Sequence, residues 1–417
     1  MIRAAALLAA ACGAAQAETW LYRVALDPVE PLAARVVVEL PAARRAQDFT
    51  VQVRGLVRGM TPQVTDLRCD GAPLAPDSAS AWQVQAGRCV HLTWTVAMKA
   101  LPEGGADPRR RESLYDARLR YWLFSEESSL LRPVGKAPHN GAVEFVGRGP
   151  VHGGVAVEGL PRRTLPAADG LPGFYVIGRL AGATVREGGL ETLHLDADGG
   201  DWRRLLAEHD RALRYLTRAA GSRQLKPMRS VVVWLGGATD DGMPVGVAGY
   251  RTLLLSTASR DGRMQHAEAA LAWILREQLL QSMPVRLPLW ARESLAQYYA
   301  IKALRRAELP PAALTALEKR LLDPQAPRTR LVEAQRRLQE GDEAARAELR
   351  ASGAAFWDRL DRAIVRKSGF RTLDSALPRL LAAEWAGDRP PDAVLEQLRR
   401  YAGEAAVDEL LAMYVGD

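Results

Sequence analysis

The chain has 417 residues, 48% hydrophobic and 25% charged, which excludes a disordered protein and is too long for one ordinary domain. Its formal charge is +7, yet Lys occurs only six times and the Arg are scattered, so no dedicated nucleic-acid surface is indicated. The densest basic cluster, Arg109-Arg110-Arg111, follows a Gly/Pro-rich stretch and reads as a solvated loop.

Residues 1–17, MIRAAALLAAACGAAQA, combine a basic Arg3, a short apolar run and a small-x-small ending. They are expected to form a signal peptide cleaved before Glu18, which places the mature protein in the periplasm or outside the cell. Lipidation at Cys12 is the second choice, because Ala9 stands where a lipobox prefers Leu. No later segment is apolar for long enough to form a transmembrane helix. Cleavage leaves Cys69 and Cys89, an even pair in an oxidising compartment, and a structural disulfide is expected between them.

Residues 18–168 read as β structure. WLYRVAL, ARVVVEL, FTVQVRGL, CVHLTWTVAM and AVEFVG alternate or run apolar between turn residues, as in a β-sandwich. From 169 to 304 the pattern mixes. GFYVIGRL, LETLHLDA, RSVVVWLGG and YRTLLLST read as strands. DWRRLLAEHDRALRYLTRAAG, HAEAALAWILREQLLQSM and RESLAQYYAIKALRRAEL read as helices, the first ending at Gly221. Residues 305–417 show helical periodicity broken at Pro and Gly. The class is therefore α+β, multidomain: a β-sandwich, an α/β layer and a helical domain.

The informative stretch is WILREQLLQSMPVRLPLWARESLAQYY, residues 273–299. A gluzincin peptidase carries H-E-x-x-H on one helix, two His gripping Zn²⁺ and the Glu activating its water. A carboxylate on the next helix, often in W-x-x-E-G-x-x-x-Y-Y, is the third ligand. Here Arg276-Glu277-Gln278-Leu279-Leu280 stands in the first place. Trp290-Ala291-Arg292-Glu293-Ser294, followed by Tyr298-Tyr299, stands in the second.

These residues resemble the M61 glycyl-aminopeptidase family of the peptidase MA-like clan. WLFSEESSLLRPVG, SGAAFWDRLDRAIVRKSGFRTLDSALPRLL and GEAAVDELLAMYV extend the resemblance over most of the mature chain. It implies a thermolysin-like gluzincin layer between the sandwich and the helices. Members often carry a PDZ domain after this point; none is expected before Asp417. The resemblance also implies that YRTLLLST, with Tyr250, Arg251, Thr252, Leu253, Leu254 and Leu255, is an edge strand that pairs with extended peptide.

The departures decide the chemistry. Leu280 offers no donor and Arg276 sets a fixed cation where the metal would sit, so of three ligands only Glu293 remains and zinc is expected to be absent. The histidines, His91, His139, His152, His194, His209 and His266, show neither H-x-x-x-H nor H-x-H and read as surface or locally hydrogen-bonded side chains. Arg276 is expected to bridge Glu293 in place of the metal, with Glu277 alongside. The expected function is an exported pseudopeptidase binding a peptide or protein. The alternatives are a metal-free hydrolase using Glu277 and Glu293 as acid and base, and an envelope scaffold.

Overall fold

A computed structural model describes residues 19–416 except 55–61, 136–139, 148, 168–169, 196–199, 222, 237–238, 241–242, 257–266 and 323–329. The expected leader with Cys12, and also His139, His266 and Thr257, lie outside the described residues. The chain divides into two units, residues 1–100 with 112–178, and residues 101–111 with 179–417.

The first unit is built from sheets of eight, five and three strands. Alternation decides which side chains enter its core. In Ala33–Glu39 the residues Ala34, Val36 and Val38 are buried, and Arg35 and Glu39 face outward. All three sheets contribute to one core, among them Trp20, Trp94, Trp82, Phe124 and Tyr175. Two single-turn helices, α1 (Ala42–Arg45) and α2 (Glu126–Ser129), interrupt the strands. Glu126 is fully buried, and its carboxylate is met by Arg132 at 2.7 Å and Arg54 at 3.2 Å, as a buried charge requires.

Two expectations fail in this unit. Its boundary lies at residue 178 rather than 168, because the strand Phe174–Ile177 pairs antiparallel with Tyr121–Ser125 and joins the first core. The Cys69–Cys89 disulfide is not formed. Both are free, buried thiols. Cys69 donates to the Arg88 carbonyl at 3.0 Å and Cys89 to the His91 carbonyl at 3.3 Å. Burial, with the neighbouring Cys69, pushes the Cys89 thiol well up, so it stays protonated.

The second unit carries a six-stranded mixed sheet. Its order is Gly182–Glu187, Leu190–Leu195, Met228–Trp234, Thr252–Ser256, Met243–Gly249 and Thr239–Asp240. The second, third and fourth of these strands run parallel. Helix α3 (Gly200–Ala220) supplies the crossover that the first parallel pair needs, and it stops at Gly221, whose φ is +80°. Helix α4 (Ala267–Ser282) follows the strand Thr252–Ser256 and packs on the sheet. Trp273 lies so close that a Cβ at Gly246 would stand 2.6 Å from its indole ring, so only glycine fits there.

The expected peptide-edge strand is not an edge. Thr252–Ser256 pairs with Met228–Trp234 on one side and Met243–Gly249 on the other, so Thr252, Leu253, Leu254 and Leu255 are interior. Tyr250 and Arg251 form the turn before it, with Arg251 left-handed at φ +58°. Gln281 of α4 holds that turn, accepting from Arg251 N at 3.2 Å and donating to the Gly249 carbonyl at 3.3 Å. Among the described residues, the outer neighbour of Met243–Gly249 is the two-residue strand Thr239–Asp240, which pairs with Met243 and Pro244.

Helix α5 (Leu289–Arg305) is buried along most of its length and runs through the helical region. Around it stand α6 (Pro311–Leu321), α7 (Leu331–Gln339), α8 (Ala344–Ser368), α9 (Leu377–Ala382), α10 (Asp392–Ala402) and α11 (Glu404–Tyr414). One apolar cluster links Leu213 on α3, Leu275 on α4, Trp290 and Tyr298 on α5, Trp357 on α8 and Leu411 on α11. The helical region is therefore continuous with the layer from 179 onward, not a separate domain beginning at 305. On α5, Lys302 is buried between Asp361 and Asp374, 2.7 Å from each. Tyr298 donates to Asp361, and Tyr299 and Tyr215 donate to Asp374, so both carboxylates are satisfied.

Candidate functional site

The site is made by α4, α5 and α8, all in the second unit. Residues four apart share a helix face, so Glu293 and Gln297 project together from α5, and Arg346 and Arg350 project together from α8. Glu293 is wholly buried. Its Oε1 accepts from Arg346 Nη1 at 2.8 Å and its Oε2 from Arg350 Nε at 2.8 Å.

Arg276 does not bridge Glu293. Its Nε and Nη2 both donate to Glu277 Oε1, at 3.0 and 2.7 Å, and its Nη1 donates to Gln297 Oε1 at 3.3 Å. The two carboxylates have thus divided the cations. The adjacent Glu277 takes Arg276, and Glu293 takes a pair from a helix more than fifty positions along the chain. Arg350 Nη2 stands 3.6 Å from Glu277 Oε1 and joins the two halves electrostatically.

These charges set the protonation states. Burial pushes the Glu293 carboxyl up, but the guanidinium of Arg350, with those of Arg346 and Arg276, outweighs burial and holds it below the usual carboxylate range. Burial destabilises the Arg276 cation, the charge of Arg350 adds to this, and Glu277 opposes both. Leu280 is partly buried against the apolar cluster, and its carbonyl accepts from Arg292 Nη2 at 3.0 Å.

The next residue in this stretch, Gln278, enters the interior. Its Oε1 lies 3.1 Å from His209 Nε2, and His209 Nδ1 lies 2.9 Å from His194 Nε2. Its Nε2 donates to Thr192 Oγ1 and Ser230 Oγ. A carbonyl oxygen only accepts, so His209 carries its proton on Nε2 and offers a lone pair at Nδ1. His194 must then donate from Nε2, which leaves its buried, unpartnered Nδ1 as a bare lone pair. That is the bonding pattern of two neutral rings. Burial enforces this, pushing His209 down to about 4 and His194 well below the ordinary value.

Ser294 follows Glu293 and faces α8. Its Oγ accepts from Trp357 Nε1 at 2.8 Å, and Gly353 of α8 lies against it. Trp357 stacks on Trp290 with ring centroids 6.0 Å apart and 13° between planes.

A zinc ion does not fit the residues present. Arg276 brings a cation where a ligand would stand, and Leu280 has no donor. Both oxygens of Glu293 already accept from guanidinium groups. A zinc site needs about four donors in a tetrahedron. Among the described residues, the cluster with metal-ligand spacing is Cys69, Asp70 and Cys89, in the first unit.

The sequence reading found Arg276, Glu277, Leu280 and Glu293 but not Arg346, Arg350, Gln297 or Gln278. The i,i+4 spacing of Arg346 and Arg350 does not single them out, since Arg362 and Arg366 on the same helix share it and are exposed, Arg362 meeting Asp358 one turn back.

No protein-family model and no curated protein sequence matches the chain. Solved structures do. An aminopeptidase N family protein from Idiomarina loihiensis superposes at TM-score 0.63 with 15% identity, over 95% of this chain and 76% of that one. The chain has an aminopeptidase N-like fold. An M1 zinc metallopeptidase from Deinococcus radiodurans is also similar, at TM-score 0.47 and 15% identity, over 96% of this chain and 94% of that one. At 15% identity the likeness to the first of these shows the fold alone, and the catalytic question rests on the residues of this chain.

Proposed function

We propose that the chain is an exported pseudopeptidase of M61-like ancestry that keeps a gluzincin cleft, takes no zinc and binds peptide or protein without cutting it. The observation that carries this reading is the state of Glu293. The one carboxylate retained from a zinc-ligand set has both oxygens engaged by Arg346 and Arg350. The M61 assignment is supported by the stretches quoted from the sequence, and export by residues 1–17. Peptide entry is supported by the outer side of Met243–Gly249, where no strand pairs beyond Pro244 among the described residues.

The metal-free hydrolase is the weaker reading. A general acid needs a raised pKa, and Glu293 is held low by three guanidinium groups. Glu277 accepts two hydrogen bonds from Arg276 on Oε1, which favour its charged form over an acid's. The scaffold alternative shares the loss of catalysis and differs in having no peptide ligand.

The test is to incubate the purified mature protein with short peptides, with and without added Zn²⁺, following binding by calorimetry and cleavage by mass spectrometry. Binding without cleavage is expected under both conditions. Zinc-dependent hydrolysis abolished by chelator would contradict the reading, and absence of all peptide binding would favour the scaffold.

A further inference from the structure

The cluster that displaces the metal has more cation than its own carboxylates neutralise. Arg276, Arg346 and Arg350 face Glu277 and Glu293; Glu343, which meets Arg346 Nε at 3.2 Å, is a solvent-exposed rim residue. Arg292, beside Glu293, adds a fourth guanidinium, whose Nε is buried without a hydrogen-bond partner. Excess like charge in a partly desolvated place is costly, and an incoming anion relieves it.

The donors needed to receive that anion are free. A guanidinium has five N–H groups. Arg350 uses Nε on Glu293, its Nη2 is beyond hydrogen-bond length from Glu277, and its Nη1 has no partner among the described residues. Arg346 uses Nη1 and Nε, leaving Nη2. Their side chains are 22% and 37% exposed, whereas Glu293 beneath them is 1% exposed. A ligand approaching from solvent therefore meets guanidinium groups before carboxylate. Two arginines fixed one turn apart by a shared buried anion form a preorganised receptor for a planar acceptor.

We propose that this site captures a peptide carboxylate, on Arg346 and Arg350, at the place where a gluzincin would hold its metal. The inference rests on the peptide-binding reading above and names the ligand group. It replaces an attraction for a neutral peptide carbonyl, suited to a metal, with an attraction for a full negative charge.

Three blocked peptides test it by calorimetry on the full mature chain: acetyl-trialanine with a free carboxylate, the same peptide as its amide, and acetyl-Ala-Glu-Ala amide. The free acid is expected to bind roughly tenfold or more tighter than the amide, the scale of a charge-assisted pair. That preference should weaken as salt is raised and be lost in Arg346→Gln, where Arg350 still holds Glu293. Arg350→Lys serves as a second variant, keeping the charge and removing the planar fork, and should also lose the preference. If the side-chain carboxylate peptide binds like the free acid, the site reads any carboxylate; if it binds like the amide, the site reads the chain terminus. Either supports the proposal. Equal binding of acid and amide would overturn the carboxylate receptor and leave the pseudopeptidase reading intact. No binding of any peptide would overturn both.

Discussion

Gly353 on α8 and Ser294 on α5 approach so closely that a Cβ at Gly353 would stand 2.1 Å from the Cβ of Ser294. In the W-x-x-E-G pattern the position of Ser294 is glycine. Here the side chain is on α5 and the glycine is on the partner helix. The two helices can then lie close enough for Arg346 and Arg350 to reach Glu293. Gly353→Ala should force the helices apart and cost about 1–3 kcal/mol, the range for overpacking a tight core contact. Urea unfolding measures it. Adding Ser294→Gly should recover part of the loss, although the Trp357 hydrogen bond goes with the hydroxyl.

Glu293→Gln removes the charge that Arg346 and Arg350 share and leaves the geometry almost unchanged. Arg350, with a side chain 22% exposed, is then stranded among other guanidinium groups. A loss of about 3 kcal/mol is expected, the scale for breaking a buried pair from one side. Arg276→Leu should act differently. It strands Glu277, which Arg350 partly compensates from 3.6 Å, and leaves both hydrogen bonds to Glu293 in place. The comparison separates the two halves of the cluster by denaturation midpoint.

The buried histidines make stability depend on pH with a definite sign. His209 has a folded pKa of about 4, below the ordinary 6.5, chiefly through burial, and His194 shifts in the same direction. Between these values the unfolded chain binds protons that the folded chain refuses. The contribution is therefore fully present above about 6.5 and is lost as pH falls toward 4, by ~1.4 kcal/mol per pH unit for each histidine. His209→Gln should flatten that slope. A stability curve level between pH 6.5 and 4.5 would contradict the neutral, buried pair.

Lys302→Met should be among the most damaging single changes in the second unit. It leaves the buried Asp361 and the partly buried Asp374 without the ammonium that lies 2.7 Å from each. A loss of about 3–5 kcal/mol is expected, read by thermal or urea unfolding. Replacing the ammonium by an isosteric apolar chain isolates the charge, because the packing volume is kept.

Much of this was legible along the chain, and the reason is local. Helices α3, α4 and α5 announce themselves by apolar spacing, Gly221 and Pro288, and the strand Ala33–Glu39 by alternation. The departure from H-E-x-x-H at Arg276 and Leu280 is likewise visible in five consecutive residues. What was not legible depends on contacts made across long sequence separation. The partners of Glu293 lie 53 and 57 positions away on α8. The interior place of Leu253–Leu255 depends on Met243–Gly249 folding back beside it, and a run of three leucines reads alike at an edge or in a centre. Cys69 and Cys89, expected to form a disulfide, have sulfurs within 4.8 Å of each other. They stand as free thiols instead, each donating to a backbone carbonyl, which cysteine spacing in the sequence does not reveal.

The most direct test is the zinc content of the mature protein after equilibration with excess Zn²⁺ and exhaustive dialysis, measured by atomic emission beside a variant carrying Arg276→His, Leu280→His and Arg350→Leu. No stoichiometric zinc is expected in the native chain, because Glu293 is engaged by Arg346 and Arg350, and the residues at the two positions of the H-E-x-x-H pattern, Arg276 and Leu280, are a guanidinium and a hydrocarbon. Any retained zinc should belong to the variant. One tightly held zinc per native chain, lost on Glu293→Gln, would contradict the account and restore the metallopeptidase.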